Sequence, residues 1–155
     1  MDRVQHLRNE LAATPAALAW LCRGITDAQA NSSLDEFGWT FVQLLIHLWD
    51  YELEIGSRFE RLLQEDMPQF QNWNEQESMK TWSDAKLSIS KLLNEFRIRR
   101  EKTLEFYDRA GERGLEKELV MPRGEVITGL EYAHRVARHD RNHMGTMVKI
   151  LAKGE

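Results

Sequence analysis

The sequence predicts an all-α fold in which four long helices form an up-and-down four-helix bundle. Apolar residues recur at helical spacing over four long stretches, and two of these stretches begin with a capping box. Hydrophobic residues make up 42% of the 155, and no Gly/Ser-rich linker divides them. We therefore expect residues 1–155 to form a single domain around one core.

The first two helices are predicted over residues 3–23 and 41–65. Pro15 interrupts the first, and Thr14 before it has the chemistry of an N-cap, so we expect a kink or a restart there. A capping box at Thr40 marks the start of the second helix. Its apolar stripe consists of Phe41, Leu44, Leu45, Leu48, Ile55, Phe59, Leu62 and Leu63.

The other two helices are predicted over residues 83–110 and 129–152. Gly111 is placed to end the third helix, and a capping box at Thr128 begins the fourth. Between them the chain is least helical, and the turn Met121–Gly124 suggests a short hairpin.

Composition excludes several classes of protein. A net charge of -4 argues against a general nucleic-acid binder, and we interpret Arg97, Arg99 and Arg100 as the solvated face of a helix. No apolar run approaches the length of a membrane span, and the first residues form no apolar signal region, so a cytoplasmic protein is the default expectation. Cys22 is the single cysteine and is expected to pack as a small hydrophobe.

Two histidines four residues apart indicate a metal site on the fourth helix. His139 and His143 are separated by about 40° around the helix axis, so both imidazoles can face one ion. The alternative is a pair of solvated histidines. His47 lies at the flank of the stripe on the second helix, whereas His134 is expected to be exposed and His6 has no partner pattern.

Asp140 breaks the pattern because helical rotation places it near the centre of an apolar stripe. A buried carboxylate there needs a partner. One partner is a metal-bound histidine, which usually donates its second N–H to a carboxylate. The other is an Arg or Trp unrelated to metal. We predict the first arrangement, with Asp140 ionised beside a ligand histidine.

The zinc-protease motif HExxH is a competing interpretation of the same helix. Here the motif would have Asp140 in place of the glutamate, and aspartate is one methylene shorter. The residues after His143 contain no further histidine that could complete the site. A protease active site is therefore not expected.

Several short motifs in a fixed order resemble the DinB/YfiT-like superfamily. They are Trp39–Thr40, Ile46–Glu52, Pro68–Trp73, Arg100–Leu104 and His139–Gly145. The similarity covers nearly the whole chain and rests on the order and spacing of these motifs. It implies a four-helix bundle that holds a divalent metal with three histidines, one on the second helix and two on the fourth.

Carried over to this chain, the implied metal ligands are His47, His139 and His143. Three neutral imidazoles suit zinc or nickel better than iron or manganese. The family often has glutamine where this chain has Thr146, which affects local hydrogen bonding more than metal binding.

The resemblance also implies a reaction. Some relatives are thiol-dependent, namely the mycothiol-dependent maleylpyruvate isomerases and the bacillithiol transferases. We therefore expect a thiol S-transferase that acts on a small-molecule substrate, with a low-molecular-weight thiol at the open metal position. A hydrolase with a metal-activated water and a non-catalytic, stress-related binding bundle are the alternatives. Tyr51 and Glu54, on the flank of His47, are candidate general bases.

A homodimer is expected, partly because relatives tend to dimerise. The sequence adds a weaker indication, since it has more bulky aromatics than four short apolar stripes need. The four that we considered for an interface are Trp20, Trp49, Trp73 and Trp82.

Overall fold

The computed structural model describes residues 2–82 and 87–154. These residues form helices α1 (Arg3–Leu21), α2 (Asp27–Ser32), α3 (Phe41–Gln64), α4 (Glu75–Trp82), α5 (Ile89–Leu115) and α6 (Gly129–Lys153), and strands β1 (Glu118–Val120) and β2 (Val126–Thr128). The long helices α1, α3, α5 and α6 form the bundle, which confirms the predicted fold class.

Helices α1, α3 and α6 have nearly the predicted bounds, whereas α5, the third of the four predicted long helices, does not. α5 begins at Ile89, where the Ser88 side chain accepts the N–H of Lys91, and not at residue 83. Residues 83–86, which the prediction included, lie outside the described residues. At the predicted end, Gly111 has a φ of 60° and interrupts the helical geometry, and a last turn then continues to Leu115.

Local signals at the helix starts are confirmed. The side chains of Thr40 and Thr128 each accept a hydrogen bond from the backbone N–H three residues later. The side chains of Gln43 and Glu131 in turn accept from the backbone N–H of the capping threonine. α1 continues through Pro15 as one helix, so no restart occurs. The predicted hairpin is present as the antiparallel pair β1–β2. The two short helices α2 and α4 were not predicted.

The order of packing differs from the predicted up-and-down bundle. α3 and α5 pack against each other and run in the same direction: Arg99 donates to the carbonyl of Trp49, and farther along both helices the ring of Phe59 meets that of Tyr107. The end of α3 at Gln64 and the start of α5 at Ile89 therefore lie at opposite ends of the bundle, and α4, which lies between these helices in sequence, packs on α3.

α1 and α6 are also parallel. Thr14 donates to Asp140, and later on the same two helices Leu21 and Ile150 line one surface groove. α3 and α6 are antiparallel: the ring of His47 lies 5.0 Å from that of His139, whereas Phe59, later on α3, packs against Tyr132, earlier on α6. The bundle thus runs up-down-down-up, and the predicted order is wrong because connection lengths alone do not determine which helices pack together.

The tryptophans divide between the core and the surface. Trp49 is buried, Trp73 and Trp82 are partly buried, and Trp20 is 66% exposed. Among the described residues, none of the helices has the length and apolarity needed to cross a bilayer.

Candidate metal centre

Three histidines from two helices converge at one point of the bundle. His47 comes from α3 and is 3% exposed, while His139 and His143 come from successive turns of α6. The Nε2 atom of His139 lies 3.0 Å from that of His47 and 3.1 Å from that of His143. One ligand atom from each of the three side chains lies within 4.8 Å of the others. The structure thus brings together the three predicted residues.

The spacing of these nitrogen atoms fits a shared metal ion. Two nitrogen ligands of a tetrahedral zinc ion, each at about 2.0–2.1 Å, are about 3.3–3.4 Å apart. The observed 3.0 and 3.1 Å separations are close to this value. The donor set, three imidazoles and no thiolate, is one that zinc and nickel accept.

The electrostatics keep these imidazoles neutral, which is the form that binds metals. Burial, and to a smaller extent the neighbouring His143 and His139, lower the pKa of His47 to about 3. Burial and His143 likewise lower the pKa of His139 to about 3. Burial also lowers the pKa of His143, although the negative charges of Asp140 and Asp35 oppose the shift.

Aromatic side chains enclose His47. The ring of Tyr51, one turn later on α3, is stacked on that of His47 with centroids 5.9 Å apart. Trp39 and Trp73 pack against the same imidazole at 5.8 and 5.6 Å. These rings exclude water from one side of the site and hold the imidazole in place.

Glu75 is a site residue that the sequence analysis missed. Its Oε1 lies 3.5 Å from His47 Nε2, and its side chain is 46% exposed. Glu75 is the first residue of α4, which is attached to α3 by a hydrogen bond from Ser78 to Asp50. Residues 67–80 are polar and have no helical apolar stripe, so no periodic signal indicated α4 or its position.

A small cavity opens on the site beside His143. Its volume is about 270 Å³, and Asp35, Trp39, Glu75 and Thr146 are among the residues that line it. The Oδ1 atom of Asp35 accepts the N–H groups of Phe37 and Trp39, which fixes this carboxylate in its loop. The cavity gives a small molecule access to His143.

The prediction for Asp140 is wrong in one respect. The residue is buried, but its oxygens accept from Arg100 at 2.8 and 3.2 Å and from Thr14 at 2.9 Å, and not from a histidine. Within residues 2–82 and 87–154, the buried Nδ1 atoms of His47 and His139 make no hydrogen bond. Asp140 is therefore part of a salt bridge in the core, the alternative that the sequence left open.

Arg100 is the centre of that network, although the sequence analysis placed it on a solvated face. It is 0% exposed, and its Nε donates to Glu52 at 2.8 Å. Its Nη1 also donates to the Leu11 carbonyl at 2.9 Å. That carbonyl has no intrahelical donor, because the residue four positions later is Pro15, which lacks an N–H. The proline in α1 thus leaves an acceptor for the buried guanidinium.

The two candidate general bases already have other partners. Arg58 donates to Glu54 at 2.9 Å and to the Tyr51 hydroxyl at 3.1 Å. Burial raises the pKa of Tyr51 above its ordinary value. His6 and His134 are exposed and line a separate surface groove, so neither belongs to the site.

Comparisons with known proteins agree with this architecture. A family model described as the DinB superfamily matches residues 10–147. The fold is similar to that of YfiT from Bacillus subtilis, described as a probable metal-dependent hydrolase with an unusual four-helix bundle topology. The two share 20% sequence identity at a TM-score of 0.83, over 97% of this chain and 86% of YfiT.

A second solved structure with this fold is a mycothiol-dependent maleylpyruvate isomerase. It is 13% identical at a TM-score of 0.75, and the match covers 93% of this chain and 60% of the isomerase. At these sequence identities, the similarity to the two solved structures establishes the fold alone. No curated protein matches the sequence.

Proposed function

This chain belongs to the DinB superfamily, and on that premise we propose that it is a metal-dependent enzyme with one divalent ion bound by His47, His139 and His143. The observation that carries the proposal is the convergence of three neutral Nε2 atoms at separations of 3.0 and 3.1 Å. A cation placed between these atoms would accept one lone pair from each neutral imidazole, which is how histidines bind a metal.

The proposed ion is zinc or nickel. Both accept imidazole ligands, and all three donor atoms here are imidazole nitrogens. Three protein ligands also leave one position for an exchangeable group, as in catalytic sites, whereas closed structural sites have four.

The reaction we propose is transfer of a low-molecular-weight thiol to an electrophile. When bound, the metal would lower the pKa of a thiol in its open position. The thiol has to come from outside, because Cys22 is buried and burial raises its pKa to about 11. The residues of this chain would bind the thiol in the cavity beside His143, with Trp39 as an apolar wall. The isomerase with this fold is also thiol-dependent.

Hydrolysis is the second candidate. YfiT, which matches over 97% of this chain, is described as a probable metal-dependent hydrolase. The same three histidines would then serve a water nucleophile, and the cavity would bind an ester or amide.

Metal content tests the first part of the proposal. Protein purified without a His-tag should hold about one equivalent of zinc or nickel per chain, before or after reconstitution, by elemental analysis. His47→Ala and His143→Ala should lose it. His134→Ala removes an exposed histidine of α6 and is the matched control. A parent protein that takes up no metal would overturn the proposal.

Paired assays test the second part. The metal-loaded protein is assayed for conjugation of a small thiol to an electrophile, and separately for ester or amide hydrolysis. We expect thiol conjugation that is absent in His143→Ala. Turnover that survives in this variant would show that the metal is not the catalyst, and hydrolysis without conjugation would favour the second candidate.

We further propose that the protein is a homodimer. Its support is the indole of Trp20, which is 66% exposed. Sedimentation at micromolar concentration should give twice the chain mass of 18.2 kDa, and Trp20→Glu should shift the protein toward the monomer. A monomeric parent would contradict this.

A further inference from the structure

The geometry points to Glu75 as a fourth, exchangeable ligand that holds the open position of the metal site until a substrate replaces it. This inference rests on the proposed metal site of His47, His139 and His143. It adds a carboxylate from α4, a helix that carries none of these histidines.

The first argument is distance. Glu75 Oε1 lies 3.5 Å from His47 Nε2, close to the about 3.3–3.4 Å that separates two ligands of one tetrahedral ion. The Nε2 atoms of His47 and His139 are 3.0 Å apart. The ligand atoms that lie within 4.8 Å of one another are those of the three histidines, so the Glu75 side chain, which contacts His47, would have to move toward His139 and His143 to share their ion.

The second argument is charge. Among the described residues, Glu75 lies within ion-pair distance of His47. The buried imidazole of His47 is neutral, so it does not balance the charge of the carboxylate. The Glu75 side chain is 46% exposed, so water solvates part of its carboxylate, but no positively charged side chain pairs with it among the described residues. A divalent ion between Glu75 and the histidines would supply a positive charge.

The third argument is that nearby carboxylates are already fixed. Asp35 is held by two backbone N–H groups, Asp140 by Arg100 and Glu54 by Arg58. Glu75 has no such partner among the residues that the structure describes.

The position of Glu75 also explains why the ligand would be exchangeable. The hydrogen bond from Ser78 to Asp50 holds α4 in place, whereas the Glu75 side chain is 46% exposed and lines the cavity beside His143. A molecule entering this cavity meets the carboxylate and the histidine together. Displacement of the carboxylate would then convert a four-ligand site into one that holds its substrate.

The test compares Glu75→Gln with two controls by three readouts. Zinc affinity is measured by chelator competition, coordination by the visible spectrum of the cobalt-substituted protein, and access by titration with azide. Glu77→Gln removes an exposed carboxylate from the same helix, and Glu36→Gln removes one from the loop before α3, outside the residues that line the cavity. Circular dichroism checks that α4 and the bundle are intact.

Loss of an outer-shell partner typically weakens metal binding by about 10- to 100-fold. We expect Glu75→Gln to weaken zinc binding at least as much, because it removes a direct ligand. Its cobalt spectrum should change, and azide should bind more tightly because it no longer displaces a carboxylate. Both controls should resemble the parent. A Glu75→Gln variant with unchanged affinity and spectrum would overturn this inference alone, whereas a parent that binds no metal would overturn the metal site as well.

Discussion

Arg100 Nη1 donates to Asp140 Oδ2 at 2.8 Å, and neither residue is more than 1% exposed. The same guanidinium binds Glu52 on α3 and the Leu11 carbonyl on α1, so one buried cation connects all four long helices. This network lies beside the three histidines, since Asp140 directly follows His139. It is the polar core that positions the α6 half of the site.

Arg100→Gln should therefore destabilise the fold strongly. It leaves the carboxylates of Glu52 and Asp140 buried without their cation, and removal of one partner from a buried pair costs about 3–5 kcal/mol. Urea denaturation measures the free energy of unfolding. Arg97→Gln, which breaks the exposed pair with Glu101, should cost no more than about 1 kcal/mol. Equal losses in the two variants would contradict a central role for Arg100.

Asp140→Asn separates a structural role from a metal-tuning role. The variant keeps the size of the side chain but weakens the bonds from Arg100, so we expect a loss of about 1–3 kcal/mol in the free energy of unfolding. Loss of an outer-shell partner typically lowers metal affinity by about 10-fold or more. Zinc affinity should fall by less than this, because Asp140 accepts no hydrogen bond from a histidine. A larger fall in affinity with unchanged stability would reverse this assignment.

Acidification should destabilise the metal-free protein. The folded state lowers the pKa of His47 and His139 from 6.5 to about 3, so below pH 6.5 the unfolded chain binds more protons than the native one. The contribution of these two histidines to the free energy of unfolding is therefore fully present above pH 6.5. It falls as the pH drops toward about 3, by up to about 1.4 kcal/mol per pH unit for each histidine.

Urea denaturation of the metal-free protein between pH 5 and pH 8 measures this slope. His47→Gln should make it shallower, because one of the two histidines no longer contributes. A slope that does not change in the variant would show that other groups determine the acid sensitivity.

Cys22 should be unreactive in the native protein. Burial raises the pKa of its thiol to about 11, so little thiolate exists at neutral pH. We expect iodoacetamide to label Cys22 only after unfolding, as measured by mass spectrometry, and Cys22→Ala to retain any thiol-conjugating activity. Rapid labelling of the folded protein would contradict both expectations.

Some features were predictable because their signals are local. The caps at Thr40 and Thr128 and the His139–His143 pair depend on residues three or four positions apart, where helix geometry determines which groups meet. These features needed no knowledge of the packing. The position of His47 on the flank of its helix was read from the sequence, its assignment as the third ligand came from a family resemblance, and the structure brings it to the other two histidines.

Other features depend on contacts that periodicity does not encode. Glu75 lies in a polar segment, and its approach to His47 depends on how the connection after α3 folds back. Arg100 follows two less buried arginines, and helical rotation alone did not show that it faces Glu52, 48 positions earlier. The parallel pairing of α3 and α5 likewise depends on long-range packing between the two helices, which apolar periodicity within each helix does not encode.

The separation of the three histidines along the chain would link metal binding to folding. His47 and His139 are 92 positions apart, so their meeting closes a loop that includes most of the bundle. In an unfolded chain, His139 and His143 stay close to each other because they are only four residues apart. The conformational entropy of the chain opposes bringing His47 to them. A bound ion would therefore act as a cross-link that favours the native chain over partly folded ones, and release of metal would accompany separation of α3 from α6.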